Sequence, residues 1–129
     1  MIYLDSSALV KLVRKEAESA ALGLWLKDND HPVVSSALAR TEVVRAVRRD
    51  SETLGARAAR VLSGVETMPM TYDLLDEAGL LPGDLRSCDA IHLVSALRLR
   101  GDLDAFVAYD KRLMTAAQDA GLHVVAPTA

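Results

Sequence analysis

Two rhythms of apolar residues alternate along the chain. Short unbroken apolar runs sit at residues 2–4, 33–34, 105–108 and 124–126, and between them lie longer stretches whose apolar positions recur three and four apart. A run without polar alternation suits a strand covered on both faces, the condition of a parallel sheet. Spacing of three and four puts an apolar stripe on a helix. The pattern predicts strands over 2–4, 33–36, 65–70, 105–108 and 123–126. It predicts a first helix carrying Leu9, Val10, Leu12 and Val13, then helices over 16–27, 37–49, 51–62, 73–81, 87–101 and 111–120. Strands and helices taking turns imply an α/β fold: three layers, with a parallel sheet flanked by helices and right-handed crossovers.

Punctuation residues sharpen the boundaries. Ser6 and Ser7 are placed to cap the first helix, and Asp5 is itself a capping type. Pro69 confines the run at 65–70 to a sheet edge or shortens it. Gly55 is expected to loosen the helix over 51–62, because Gly costs about 1 kcal/mol relative to Ala in a helix. Pro82-Gly83-Asp84 reads as a turn and Gly121 as a helix stop. The stretch 87–101 carries the strongest helical signature, with Ser87 to cap it, Asp89 and the pair Arg98 and Arg100 at complementary ends of the dipole, and Gly101 to stop it. Its middle is almost wholly apolar, so Asp89, His92 and Ser95 need partners inside a packed layer. His92 reads as a hydrogen-bonded core residue, since no second His or Cys stands at ligand spacing. Cys88 reads as packing, and Trp25 as core or as an anchor for a partner.

Composition changes this picture little. The 129 residues are half hydrophobic, enough for one domain spanning 1–129 with a real core. One cysteine excludes an intramolecular disulfide, and no apolar run approaches membrane-spanning length. With a strand starting at residue 2, no signal peptide is expected, and a cytoplasmic protein without a membrane partner follows as the expectation. The formal charge of −3 argues against a basic glove for nucleic acid, but local charge matters more than the total. Arg40, Arg45, Arg48, Arg49, Arg57 and Arg60 crowd one segment, whereas Asp73, Asp76, Glu77 and Asp84 cluster with no basic neighbour in sequence. A solvated helix face accounts for most of those arginines.

Four acids are the candidate chemistry. Asp5 and Asp110 directly follow predicted strands, so they fall on the carboxyl edge of the sheet, where ligands of open parallel sheets bind. Asp89 begins a helix feeding the next strand, which puts its start on the same edge. Glu42, almost two turns into its predicted helix, reaches that edge with its longer side chain. Taken singly, each is an ordinary cap or ion-pair residue; Glu42 has Arg45 and Arg49 within a turn or two. Together they repel, by about 3 kcal/mol for two carboxylates about 5 Å apart at an effective dielectric near 20. A divalent cation is the natural counter-ion, and hard oxygen donors favour Mg²⁺, with Mn²⁺ as the substitute. Such a centre suits phosphoryl chemistry.

These residues resemble a known family. Ile2-Tyr-Leu-Asp5-Ser-Ser-Ala-Leu, Ala39-Arg-Thr-Glu42-Val, Asp89-Ala-Ile-His-Leu-Val-Ser-Ala-Leu and Phe106-Val-Ala-Tyr-Asp110-Lys-Arg-Leu, followed by Gly121-Leu-His-Val, are similar in kind and order to the PIN-domain ribonucleases, and within them to VapC-type toxins. The resemblance covers the whole chain. It implies a five-stranded parallel sheet and Asp5, Glu42, Asp89 and Asp110 around Mg²⁺. It also implies hydrolysis of RNA to a 5′-phosphate and a 3′-hydroxyl. Asp5 and Asp89 would then bind metal, Asp110 would complete the set directly or through water, Glu42 would position or deprotonate the attacking water, and Ser6 would support Asp5. Arg40, Arg45 and Arg48 are candidates to hold RNA. A homodimer and a small cognate antitoxin lying near Trp25 are implied as partners. The family often has Thr or Ser two residues before the last acid; here that position is Ala108.

Two other readings remain. A receiver-type signalling domain has a similar size and an acidic Mg²⁺ pocket, but Asp5 lacks an acidic neighbour, no Asp ends the third strand, and no Lys precedes Pro127. A PIN-like scaffold that binds without cutting is kept open by Ala108.

Overall fold

The computed structural model describes residues 1–128. Five strands form one parallel sheet: β1 (Ile2–Leu4), β2 (Val33–Ser36), β3 (Glu66–Met68), β4 (Ala105–Val107) and β5 (Val124–Val125), in the order β3-β2-β1-β4-β5. Seven helices connect them: α1 (Ser6–Val13), α2 (Ser19–Asp28), α3 (Ala39–Arg48), α4 (Glu52–Ser63), α5 (Tyr72–Gly79), α6 (Ser87–Leu97) and α7 (Lys111–Asp119). The three-layer expectation holds. The chain winds outward from β1 in both directions, so β1 is central, with β2 and β4 as its neighbours. That arrangement leaves a crevice beyond its carboxyl end, where Asp5 stands.

Side chains alternate across this central strand. Ile2 and Leu4 pack with the cluster built from α1, α3 and α4, while Tyr3 packs with Phe106 and the α6 and α7 side. Every residue of β1 and β4 is buried, which explains why both strands read as unalternated apolar runs. β3 lies at the edge with Pro69 just past its end, as the proline requires.

Several boundaries differ from the sequence pattern for local reasons. α3 begins at Ala39 because the Ser36 hydroxyl accepts the Leu38 amide and holds residues 37–38 in a turn; Glu42 therefore sits in the first turn of the helix. α4 runs unbroken through Gly55, although the Gly55 amide is 3.4 Å from the Ser51 carbonyl. α6 ends at Leu97, short of Gly101, and Arg86 rather than Ser87 stands at its N-cap. α1 is capped by Asp5, whose carboxylate accepts the Ala8 amide. Gly121 ends α7 with φ +93°, a left-handed conformation suited to glycine. Among the described residues no helix is long and apolar enough to cross a membrane.

Candidate active site

Asp5 leaves the end of β1, and its own amide is tied to the Val107 carbonyl of β4. Its carboxylate is buried, 4% exposed, and both of its hydrogen bonds fall on Oδ1, from the Ser7 hydroxyl at 2.8 Å and the Ala8 amide at 2.9 Å. Burial pushes its pKa up. The His92 imidazole and the two hydrogen bonds oppose that rise without cancelling it, and the charge of Asp89 adds to it. Asp5 is thus an acid whose ionised form needs a positive neighbour.

Glu42 has the opposite character. Its Oε1 accepts the Ser6 hydroxyl at 2.6 Å and lies 3.0 Å from Nε2 of His92. Burial pulls its pKa upward, but the bonds from His92 and Ser6 outweigh that and hold the carboxyl below its usual range. The arginines one turn away on α3 do not pair with it. Ser6, expected to support Asp5, is bonded to Glu42 and stands 3.0 Å from His92 Nε2.

His92 is 2% exposed, and its Nδ1 is 2.8 Å from the Tyr3 hydroxyl. The core role expected of it is observed, with partners that the sequence did not name. Tyr3 lies inside an apolar run, so only the demand of a polar residue in an apolar helix pointed to such a partner. Desolvation pushes the Tyr3 phenol far above its ordinary range, so the hydroxyl is a neutral donor. Cys88, expected to be packing, is exposed, and partial burial together with the Glu42 charge pushes its thiol up.

Asp89 and Asp110 open on a shared cavity of about 320 Å³ walled by Leu85, Arg86 and Arg112. Asp110 also caps α7 through the Leu113 amide at 3.0 Å. Arg86 reaches Asp89 at 3.5 Å, a weak contact from a guanidinium 77% exposed. The structure thus groups Asp89 with Asp110 in one cavity and ties Glu42 to Ser6 and His92, while the charge of Asp89 contributes to the raised pKa of Asp5. Among the described residues, no three His, Cys, Asp or Glu side chains are grouped to hold one ion. The donor chemistry nonetheless fits a hard cation. Mg²⁺ is commonly held by one or two carboxylates with waters completing its shell, and Oδ2 of Asp5 takes no hydrogen bond among the described residues.

Beside Glu42, Arg45, Arg48 and Arg49 line a groove of about 680 Å³ along α3. Arg49 joins it where Arg40 was expected; Arg40 is exposed and outside it. None of these arginines has an acid partner among the described residues, while Arg14, Arg86, Arg98 and Arg112 all do. Three of the acids at 73–84 have partners as well, since Arg98 reaches Asp73 and Glu77 and Arg112 reaches Asp84. Trp25 is half-buried and packs against the core beside β1.

The family model for the PIN domain matches residues 2–118. The chain belongs to the PIN domain family, in its VapC branch. It is 47% identical over 128 residues to Ribonuclease VapC46 of Mycobacterium tuberculosis (strain ATCC 25618 / H37Rv), covering 98% of each chain. It is 37% identical over 134 residues to Ribonuclease VapC47 of Mycobacterium tuberculosis (strain CDC 1551 / Oshkosh), covering all of this chain and 98% of the relative. Among solved structures, Mycobacterium tuberculosis VapC20, a Sarcin-Ricin loop cleaving toxin, superposes with a TM-score of 0.75 at 22% identity, over 98% of this chain and 100% of that one. FitAB bound to an IR36 DNA fragment gives 0.65 at 16% identity, over 98% and 95%. These two likenesses show the PIN fold.

Proposed function

We propose that this chain is a Mg²⁺-dependent endoribonuclease, acting as the toxin of a toxin–antitoxin pair. One observation carries the reading: a buried carboxylate, Asp5, ends the central strand with one oxygen free of hydrogen bonds among the described residues, while Asp89 and Asp110 share a cavity. The curated names of relatives up to 47% identical support the ribonuclease class.

Asp5 and Asp89 are the residues to hold the cation, with Asp110 entering directly or through water. When bound, Mg²⁺ supplies a counter-charge for these acids and Lewis acidity toward a phosphate. Glu42, kept ionised by Ser6 and His92, orients the attacking water and takes its proton. The water oxygen bonds to phosphorus, the bond from phosphorus to the 3′-oxygen breaks, and that oxygen takes up the proton that Glu42 received. The products are a 5′-phosphate and a 3′-hydroxyl. Arg45, Arg48 and Arg49 hold phosphates of the strand near Glu42. A small antitoxin docking near Trp25 and a homodimer complete the proposal.

The test is cleavage of total RNA by wild type and Asp89→Asn with Mg²⁺ or Mn²⁺, both checked for folding by circular dichroism. Metal-dependent cleavage by wild type alone supports the proposal. A folded wild type that cuts no RNA across a range of substrates favours the non-cutting scaffold.

A further inference from the structure

A second cavity adjoins the acidic one. It lies between α6 and α7 under the turn at 81–85 and encloses about 570 Å³. Its floor is apolar, formed by Leu81, Leu93, Leu97 and Ala116. Leu85 and Arg112 belong to both cavities, so the apolar cleft opens from the same wall that faces Asp89 and Asp110. A volume of this order falls within the roughly 300–1,000 Å³ of small-ligand pockets.

We propose that this cleft is a nucleobase subsite: it takes the base of a nucleotide whose phosphate lies at Arg112, on the wall shared with the cavity of Asp89 and Asp110. The inference rests on the ribonuclease reading for its physiological substrate. Three features favour a nucleotide as the occupant. The cleft and the acidic cavity share Leu85 and Arg112 as walls, so a phosphate at Arg112 places its base within reach of the cleft. Arg112 stands at the junction and Lys111 lines the cleft beside it; both attract a polyanion, and a guanidinium plane is also a stacking surface for a base. Arg112 is held by Asp84 only at 3.9 Å, with both side chains largely exposed, so it turns toward a ligand at little cost. Thr115 and Asp119, one turn apart on α7, add a hydroxyl and a carboxylate to the lining as partners for base edges. Leucine walls exclude water around the ring without demanding one base by stacking.

The full chain is titrated with AMP, GMP, CMP, UMP and inorganic phosphate, with binding read from the methyl NMR signals of Leu93, Leu97 and Ala116. At least one monophosphate is expected to shift these methyls saturably, and inorganic phosphate is expected to leave them in place. Thr115→Trp, a change at an exposed position that fills the cleft, should weaken the nucleotide at least about tenfold, equivalent to about 1.4 kcal/mol, with an unchanged melting temperature. Methyls unmoved by all four monophosphates overturn the subsite, as does binding undiminished in a folded Thr115→Trp. Response to benzene but to no nucleotide also overturns it and assigns the cleft to an apolar side chain of a protein partner. Binding is read without cleavage, so nucleotides that seat in a chain that cuts no RNA leave the subsite standing and overturn the ribonuclease reading alone.

Discussion

His92 Nε2 stands 3.0 Å from Glu42 Oε1, a contact between two helices made by residues 50 apart in sequence. One hydrogen-bond arrangement serves the whole network: the Tyr3 hydroxyl donates to Nδ1, the Nε2–H donates to Glu42, and Ser6 donates to the same oxygen. His92 thereby positions Glu42 and favours its ionised form.

Removing that donor should separate catalysis from binding. His92→Phe is expected to lower kcat for RNA cleavage about tenfold or more with little change in KM, and His92→Gln, which keeps an N–H, should recover part of the loss. Steady-state kinetics on a fluorogenic RNA measure both. Equal loss in His92→Gln and His92→Phe would mean that ring packing, and not the hydrogen bond, is what matters.

Tyr3→Phe keeps the ring stacked on Phe106 at 5.4 Å but leaves Nδ1 without its donor. A destabilisation of about 1–3 kcal/mol is expected from urea unfolding, the cost of one buried unpaired acceptor.

Asp5 and Glu42 give opposite pH signatures. The native pKa of Asp5 is raised, so the unfolded chain releases its proton first and stability falls as pH climbs from the ordinary carboxylate range to the raised value. Glu42 is depressed, so its contribution is present above the ordinary value and is lost as pH falls through the native one. In EDTA at pH 7, Asp5→Asn should melt above wild type, and the gap should close below about pH 4. Mg²⁺ should raise the wild-type melting temperature and leave Asp5→Asn unchanged. An Asp5→Asn protein that melts below wild type in EDTA at pH 7 contradicts the burial argument.

The arginine groove has a quantitative signature. In EDTA, binding of single-stranded RNA should weaken with salt, and each of Arg45→Ala, Arg48→Ala and Arg49→Ala should reduce the log–log slope by about 0.7. Arg40→Ala, outside the groove, should leave the slope in place; fluorescence anisotropy at several salt concentrations distinguishes these results.

Two glycines should respond with opposite signs. Gly55, inside α4, has open space where a Cβ would go, so Gly55→Ala should stabilise by about 0.5–1 kcal/mol. Gly121 also has open space but a φ of +93°, and Gly121→Ala should destabilise by about 1 kcal/mol or more. Denaturant midpoints of the two variants provide the comparison.

The apolar pattern alone set the kinds of element, their order and the positions of Asp5 and Asp110 just past β1 and β4. Those are local matters: unalternated apolar runs demand two-sided cover, and Asp5 and Asp110 follow such runs within a few residues. The resemblance added the roles assigned to the acids. Tertiary structure alone decided which polar groups meet. Local spacing offered Glu42 the arginines of its own helix, yet it bonds Ser6 and His92 from two other elements. It offered Asp73 and Glu77 no cation, yet Arg98 reaches both from the C-cap of α6. It put Cys88 in the core, yet the start of α6 turns the thiol outward beside Glu42. The physical reason is the same in each case: hydrophobic periodicity fixes which face of an element is buried, whereas a hydrogen-bond partner is set by how non-adjacent elements pack.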